Sequence, residues 1–232
     1  IFTYTYIGGL QNGDDLNDII LSYTMNAIGS TTLDDAGVTR TITGSFNLDG
    51  GYTLNLITGT LTVVKADLIV EADSYSRYYG DANPTLSFSY SGFMNGDDET
   101  DLDTLATLST AANALSGVGT YNISGSGGID NNYNFIYADG ALTVNKAILT
   151  ATAQNDSRTY GDANPTFTIT YSGFKNGETD TVINTKATGS SVGATANVGT
   201  YAITASGASD DNYTFNYVDG VLTINKAVLT AT

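Results

Sequence analysis

The chain has 232 residues, with 24 acidic against 8 basic side chains, a formal net charge of -16, and neither His nor Cys. Disulfide frameworks, Cys/His zinc sites and Ser-His-Asp or Cys-His nucleophiles are thereby excluded, and so acidic a surface is the reverse of what phosphate binding needs. Charged residues make up only 14%, so the polar surface must come from Thr, Ser, Asn and Gly, which beside 16 Tyr is a strand-and-turn vocabulary.

Residues 1–9 alternate through Phe2, Tyr4 and Tyr6 and read as a strand, not as a leader. The segment from Phe2 is the first, weaker copy of a pattern that then fills the chain. "SRYYGDANPTLSFSYSGFMNG" from Ser76 returns as "SRTYGDANPTFTITYSGFKNG" from Ser157, 81 residues on. "VGTYNIS" from Val118 returns as "VGTYAIT" from Val198, and "DNNYNFIYADGALTVNKAILTAT" from Asp130 as "DDNYTFNYVDGVLTINKAVLTAT" from Asp210, both 80 on. One residue is therefore expected to be lost in the acidic loop between. The Lys-Ala junctions fall at Lys65, Lys146 and Lys226. This divides the chain into a partial repeat at 1–65, repeats at 66–146 and 147–226, and the opening strand of a further copy at 227–232.

Within each repeat the sequence predicts five or six strands. The first alternates after the junction (Leu68, Val70 and Ala72 in one copy, Ile148, Thr150 and Thr152 in the next). A turn-rich loop follows, ending in Gly80 to Pro84, where Asn before Pro is held extended. Leu86, Phe88 and Tyr90 share one face of the next strand, as do Phe167, Ile169 and Tyr171. Asn-Gly then marks a turn before the acidic stretch 97–103, and residues 102–108 read equally as a strand or as one helical turn. "VGTYNIS" is a strand. Tyr133, Phe135 and Tyr137 alternate up to Asp139-Gly140, and Leu142 and Val144 follow, the pattern of a hairpin. No Gly-, Pro- or Ser-rich spacer separates one repeat from the next, so the fold class is all-β: tandem small β domains arranged as an elongated rod, with β-grasp-like and sandwich-like arrangements both open.

The pattern SRxYGDANPxxxxxYSGFxNG … VGTYxI … NYxFxYxDGxLTxNKAxLTAT resembles the MBG (mostly beta, glycine-rich) repeat of large bacterial surface adhesins. The resemblance covers 66–146 and 147–226 closely. It covers 1–65 in part, with Arg40 at the Tyr121/Tyr201 position and Gly51 replacing the Asn before Tyr52. It implies tandem extracellular modules in a very long protein, used as a stalk or surface fibre, and no catalytic residues.

Paired carboxylates at Asp14-Asp15, Asp97-Asp98 and Asp210-Asp211 read first as solvated turns. As calcium ligands, a better use of such oxygens than acid-base catalysis, the candidates are Asp97, Asp98, Asp101, Asp130, Asp210 and Asp211, although neither the loop 95–103 nor the loop 129–134 has EF-hand spacing. No other cofactor is expected. Lys65, Lys146 and Lys226 recur in register, as isopeptide donors to a neighbouring Asn or, more simply, as partners of the acidic next domain. Arg77 and Arg158 are expected to hold their loop through carbonyls or through Asp81 and Asp162. Tyr79, Tyr90, Tyr121, Tyr133 and Tyr137, with their counterparts in the next copy, are expected in the core, their hydroxyls reaching outward. The expected partners are neighbouring repeats, copies of the chain in a fibre, or a host or matrix ligand of unknown identity, with no nucleic acid and no membrane insertion.

Overall fold

A computed structural model describes residues 20–27, 39–48 and 59–231, with side chains from residue 63 onward. The strand expected at 1–9, the Asp14-Asp15 pair and Gly51-Tyr52 lie outside the described residues.

The described chain is all-β. Strands β1 (Ile20–Ala27), β2 (Thr39–Leu48) and β3 (Gly59–Thr62) form an antiparallel sheet in that order. The next repeat contributes β4 (Ala66–Ala72), β5 (Tyr75–Tyr78), β6 (Phe88–Ser91), β7 (Thr107–Thr110), β8 (Gly119–Ser126), β9 (Tyr133–Ala138) and β10 (Gly140–Asn145). They make two sheets, ordered β6-β4-β9 and β5-β10-β8-β7. The last repeat copies this with β11 (Ala147–Ala153), β12 (Asp156–Thr159), β13 (Ile169–Ser172), β14 (Thr188–Ser190), β15 (Gly199–Ser206), β16 (Tyr213–Val218) and β17 (Gly220–Asn225), ordered β13-β11-β16 and β12-β17-β15-β14. Helical structure among the described residues is limited to two 3-10 turns, Glu99–Asp101 and Asp180–Val182. In place of the helix of a β-grasp, each repeat packs its second sheet. In the last repeat Ala153 and Ile169 of one sheet share a core with Ile203, Leu222 and Ile224 of the other. Ala72, Ile123 and Leu142 meet in the same way in the repeat before it.

Backbone contacts group the chain into two compact units, one of Ile1–Leu68, Gly92–Leu105 and Gly128–Ile136, the other of Ile69–Ser91, Ala106–Gly127 and Tyr137–Thr232. The second unit thus holds the whole of the last repeat together with much of the one before it.

Four sequence expectations change. Residues 133–145 are not a hairpin: β9 and β10 belong to different sheets, and Asp139 carries the chain from one to the other. Gly140 is buried there, and any Cβ would overlap the carbonyl oxygens of Ala72 and Asp73. The glycine serves a close backbone approach, not a tight turn. The inward face of β11 is also the one opposite to that read from the sequence. Ala147, Leu149, Ala151 and Ala153 are buried, Ile148 is exposed, and Thr150 and Thr152 are half-buried on the outer face. In a strand, a slip of one residue exchanges the faces. The loop before Pro84 contains a real strand, β5, paired in parallel with β10. Finally, the residue lost between copies lies after the acidic loop. The amides of Ala106 and Ala187 occupy equivalent bonds 81 apart, whereas the carbonyls of Ala112 and Val192 do so 80 apart. Residues 102–108, read either way from sequence, follow the first 3-10 turn and lead into β7.

Candidate functional site at the repeat junction

Lys146 alone separates β10 from β11. Both strands bury alternate residues, so Val144 before the junction and Ala147 and Leu149 after it enter one apolar cluster, which Tyr79, Ile183 and Tyr213 complete. Burying such side chains contributes about 1.5–3 kcal/mol each, so the two repeats share a core and are not joined by a tether.

A polar network edges this cluster. An Asn-Gly turn, Asn176 (φ 54°) and Gly177 (φ 74°), is closed by the Glu178 amide donating to the Lys175 carbonyl at 2.9 Å. Positive φ at both central residues is what favours Asn-Gly. The turn aims Lys175 and Glu178 at the preceding repeat. Glu178 accepts from the Tyr79 hydroxyl at 2.7 Å on one oxygen and from the Tyr213 hydroxyl at 2.5 Å on the other. The two rings meet edge to face, with centroids 5.5 Å apart. Lys175 forms an ion pair with Asp81 at 2.9 Å, and its stem lies where any Cβ on Gly80 (φ 81°) would sit. Lys146 Nζ donates to the Asp210 carbonyl at 2.7 Å, and the Val118 amide donates to Asn212 Oδ1 at 2.9 Å. Lys65 makes the equivalent bond to the Asp130 carbonyl at 2.8 Å. Lys65 and Lys146 thus grip main-chain oxygens of the following repeat, not its carboxylates.

The hydrogen bond to Glu178 raises the Tyr79 phenol above its ordinary value, and burial followed by the same carboxylate raises Tyr213 further. Burial and a hydrogen bond to Asp97 raise Tyr133. A phenol whose folded pKa is raised contributes stability in full below its unfolded value near 10.0, and that stability is lost as pH climbs through the folded value. Stability is therefore expected to fall with pH above about 10, with Tyr79→Phe and Tyr213→Phe each flattening the fall; thermal melts across pH 8–12 check this. At the acid end, Lys175 holds Asp81 below its ordinary value, so that contribution is present above about pH 4 and is lost as pH falls below it.

Residues 68–143 and 149–223 each match the family described as MBG domain (YGX type). The chain belongs to the MBG family. No curated protein matches it. Of the Tyr-Gly pairs inside the two matched segments, Tyr79-Gly80 lies in the junction and Tyr160-Gly161 is its counterpart one repeat on.

In each MBG module the arginine of the SRxYGDANP motif is buried and structural. Arg77 donates to Asn83 Oδ1 at 2.9 Å and to the carbonyls of Tyr78 and Asn113; Arg158 repeats this with Asn164, Thr159 and Gly193. The partners are carbonyls, as expected, but the carboxylates of Asp81 and Asp162 are not among them. Asn83 and Asn164 add the second prong, donating to the Ala112 and Val192 carbonyls at 2.7 Å. Arg158→Ala strands those acceptors and is expected to cost about 2–3 kcal/mol, read as a lower urea midpoint. Arg158→Lys is expected to recover little, because one ammonium cannot reproduce the fork.

The tyrosines follow the core expectation in part. Tyr79, Tyr133 and Tyr213 are buried, and the Tyr90 and Tyr171 hydroxyls accept from Ala106 and Ala187, but Tyr160 is 47% exposed.

The acidic candidates accept hydrogen bonds from protein groups, in part local backbone amides and in part side chains. Asp97 accepts from the Tyr133 hydroxyl at 2.6 Å. Asp98 caps the 3-10 turn through Thr100, and Asp101 accepts from the Asp98 amide at 2.8 Å. Asp130 and Asp210 each accept two amides of the turn that follows, at Asn132 and Tyr133 or Asn212 and Tyr213. Asp211 accepts from Asn184 at 3.3 Å. Among the described residues no group of three or more such side chains is placed to hold a metal ion, and no helix is long and apolar enough to cross a membrane.

Sequence reasoning missed Lys175 and Glu178. Their counterparts are Met94 and Asp97, so the pair reads as drift in a loop. The available signal was the scarcity of cations: one of only eight falls beside the Asn-Gly turn.

Proposed function

We propose that this chain is a stalk segment of an extracellular bacterial adhesin or surface fibre, a non-enzymatic spacer that holds a distal binding region away from the cell. The observation that carries this reading is the shared core and the Tyr79-Glu178-Tyr213 network at the junction. A linker of one residue and a buried interface favour a rigid succession of modules over a flexible string. Near-equivalent modules suit a spacer, and a net charge of -16 keeps neighbouring fibres apart. Electron microscopy of the purified chain at low and high concentration, with chelator present, tests this. Discrete short rods at both concentrations are expected; bent or collapsed particles would count against it.

A second reading, head-to-tail assembly by strand donation, draws on one observation. Residues 227–231 repeat the sequence that opens β11, a strand that in the last repeat pairs with a neighbour on each side. A segment of such strand-forming sequence is what strand addition uses. Filaments that lengthen with concentration, and vanish when residues 227–232 are deleted, would favour it.

A further inference from the structure

The last repeat carries a second copy of the face that docks its neighbour at the junction. The Tyr160 amide donates to the Asn225 carbonyl at 2.9 Å, as Tyr79 does to Asn145 at 2.8 Å, and the Asp162 and Asp81 amides close the same turn at 3.1 Å. Backbone geometry is thus the same in both places, but the cover is not. A Cβ on Gly80 would strike Lys175, whereas one on Gly161 would meet nothing within 4 Å. Tyr79 is buried, whereas Tyr160 is 47% exposed.

We propose that the face formed by Tyr160, Gly161, Asp162 and Lys226 is a docking site for an MBG module whose Asn-Gly turn is flanked by Lys and Glu, as in Lys175 and Glu178. The Glu takes the Tyr160 hydroxyl, the Lys pairs with Asp162, and Lys226 reaches a main-chain carbonyl of the incoming module as Lys146 reaches Asp210. A module with the turn of the earlier repeat does not fit equally. Met94 offers no charge to Asp162, and Asp97, which holds Tyr133 as Glu178 holds Tyr213, is one methylene short of spanning to a second phenol as Glu178 does to Tyr79. The two turn residues therefore specify which module can follow which. A second copy of this chain does not supply the partner, because its Lys175 and Glu178 are already engaged. The inference rests on the stalk reading and adds the chemistry of the neighbour.

The test extends the chain after Thr232 with a second copy of residues 153–226 that carries Tyr160→Phe at its own equivalent position, so that 227–232 serve as the added module's first strand and the peptide bearing Tyr160 is unique. Nitration by tetranitromethane, located by peptide mass spectrometry, reports each phenol. In the 232-residue chain Tyr160 is expected to react while Tyr79 is protected. The extension is expected to slow Tyr160 by about tenfold, the effect a one-unit rise in phenol pKa alone would bring. An extension carrying Met and Asp at the two turn positions is expected to leave Tyr160 reactive. Independently, Lys175→Met with Glu178→Asp in the unextended chain is expected to expose Tyr79. Tyr160 reacting unchanged in the Lys/Glu extension, or Tyr79 staying protected in the double variant, overturns the docking proposal and leaves the stalk reading standing. Tyr79 reacting freely in the unaltered chain overturns both.

Discussion

Replacing Tyr213 by alanine is expected to lower the stability of the last repeat by about 4 kcal/mol, at the upper end for loss of a large buried side chain. The residue stands at the start of β16, opposite Ala147 in the parallel register with β11. Its ring lies edge-on to Phe174 at 5.9 Å and to Tyr79 at 5.5 Å, and it is among the most buried side chains described. Its hydroxyl donates to Glu178 and accepts from the Lys175 amide at 2.9 Å. Alanine removes the ring, opens a cavity in the cluster that joins two repeats, and frees the turn that presents Lys175. Tyr213→Phe keeps the ring and is expected to cost about 1–2 kcal/mol, the range for a lost hydrogen bond. The two variants separate packing from polarity. Domains of this size are marginally stable, so the alanine variant should show an early urea transition. A loss of under 1 kcal/mol would show that the ring is not a keystone.

Gly220→Ala is expected to cost about 3 kcal/mol, near the upper range for forced overpacking. A Cβ there would lie 2.5 Å from the Ala153 carbonyl oxygen and 2.8 Å from that of Gln154. Neither atom can yield without moving the end of β11, which is central in its sheet. Gly193→Ala provides the contrast. A Cβ there meets nothing within 4 Å, and the residue has no positive φ, so the change is expected within about 0.5 kcal/mol. Equal midpoints for the two variants in chemical denaturation would refute the close-approach argument.

That glycine also marks how far the sequence can be read. Asp-Gly between alternating runs announces a change of direction, and a change occurs. But the same dipeptide suits a hairpin and a crossing between sheets, and only the position of Ala153 decides between them. Repetition, strand content and the Asn-Gly turns were legible because they are local. The inward face of β11 was not. Its buried positions are largely alanine, whereas Ile148, on the outer face, is the bulkier landmark. The arginine could be assigned to carbonyls from its donor count, whereas its choice of Asn113 or Gly193 depends on a loop far along the chain. Lys175 and Glu178 were hidden for a related reason. Their meaning lies in Tyr79 and Asp81, nearly a hundred residues away, and no pattern within one repeat records it.

The placement of the first and last strands in each repeat has a mechanical consequence. β11 is flanked by β13 and β16, and β17 by β12 and β15, so neither lies at an edge. Tension applied between Ala147 and Asn225 meets each strand lengthwise. Its ladders on both sides are then loaded together in shear, and cannot be unzipped one hydrogen bond at a time. With only Lys146 between β10 and β11, a pull on one repeat passes to the next with almost no slack to take up. Chains built this way resist extension until a whole repeat yields at once.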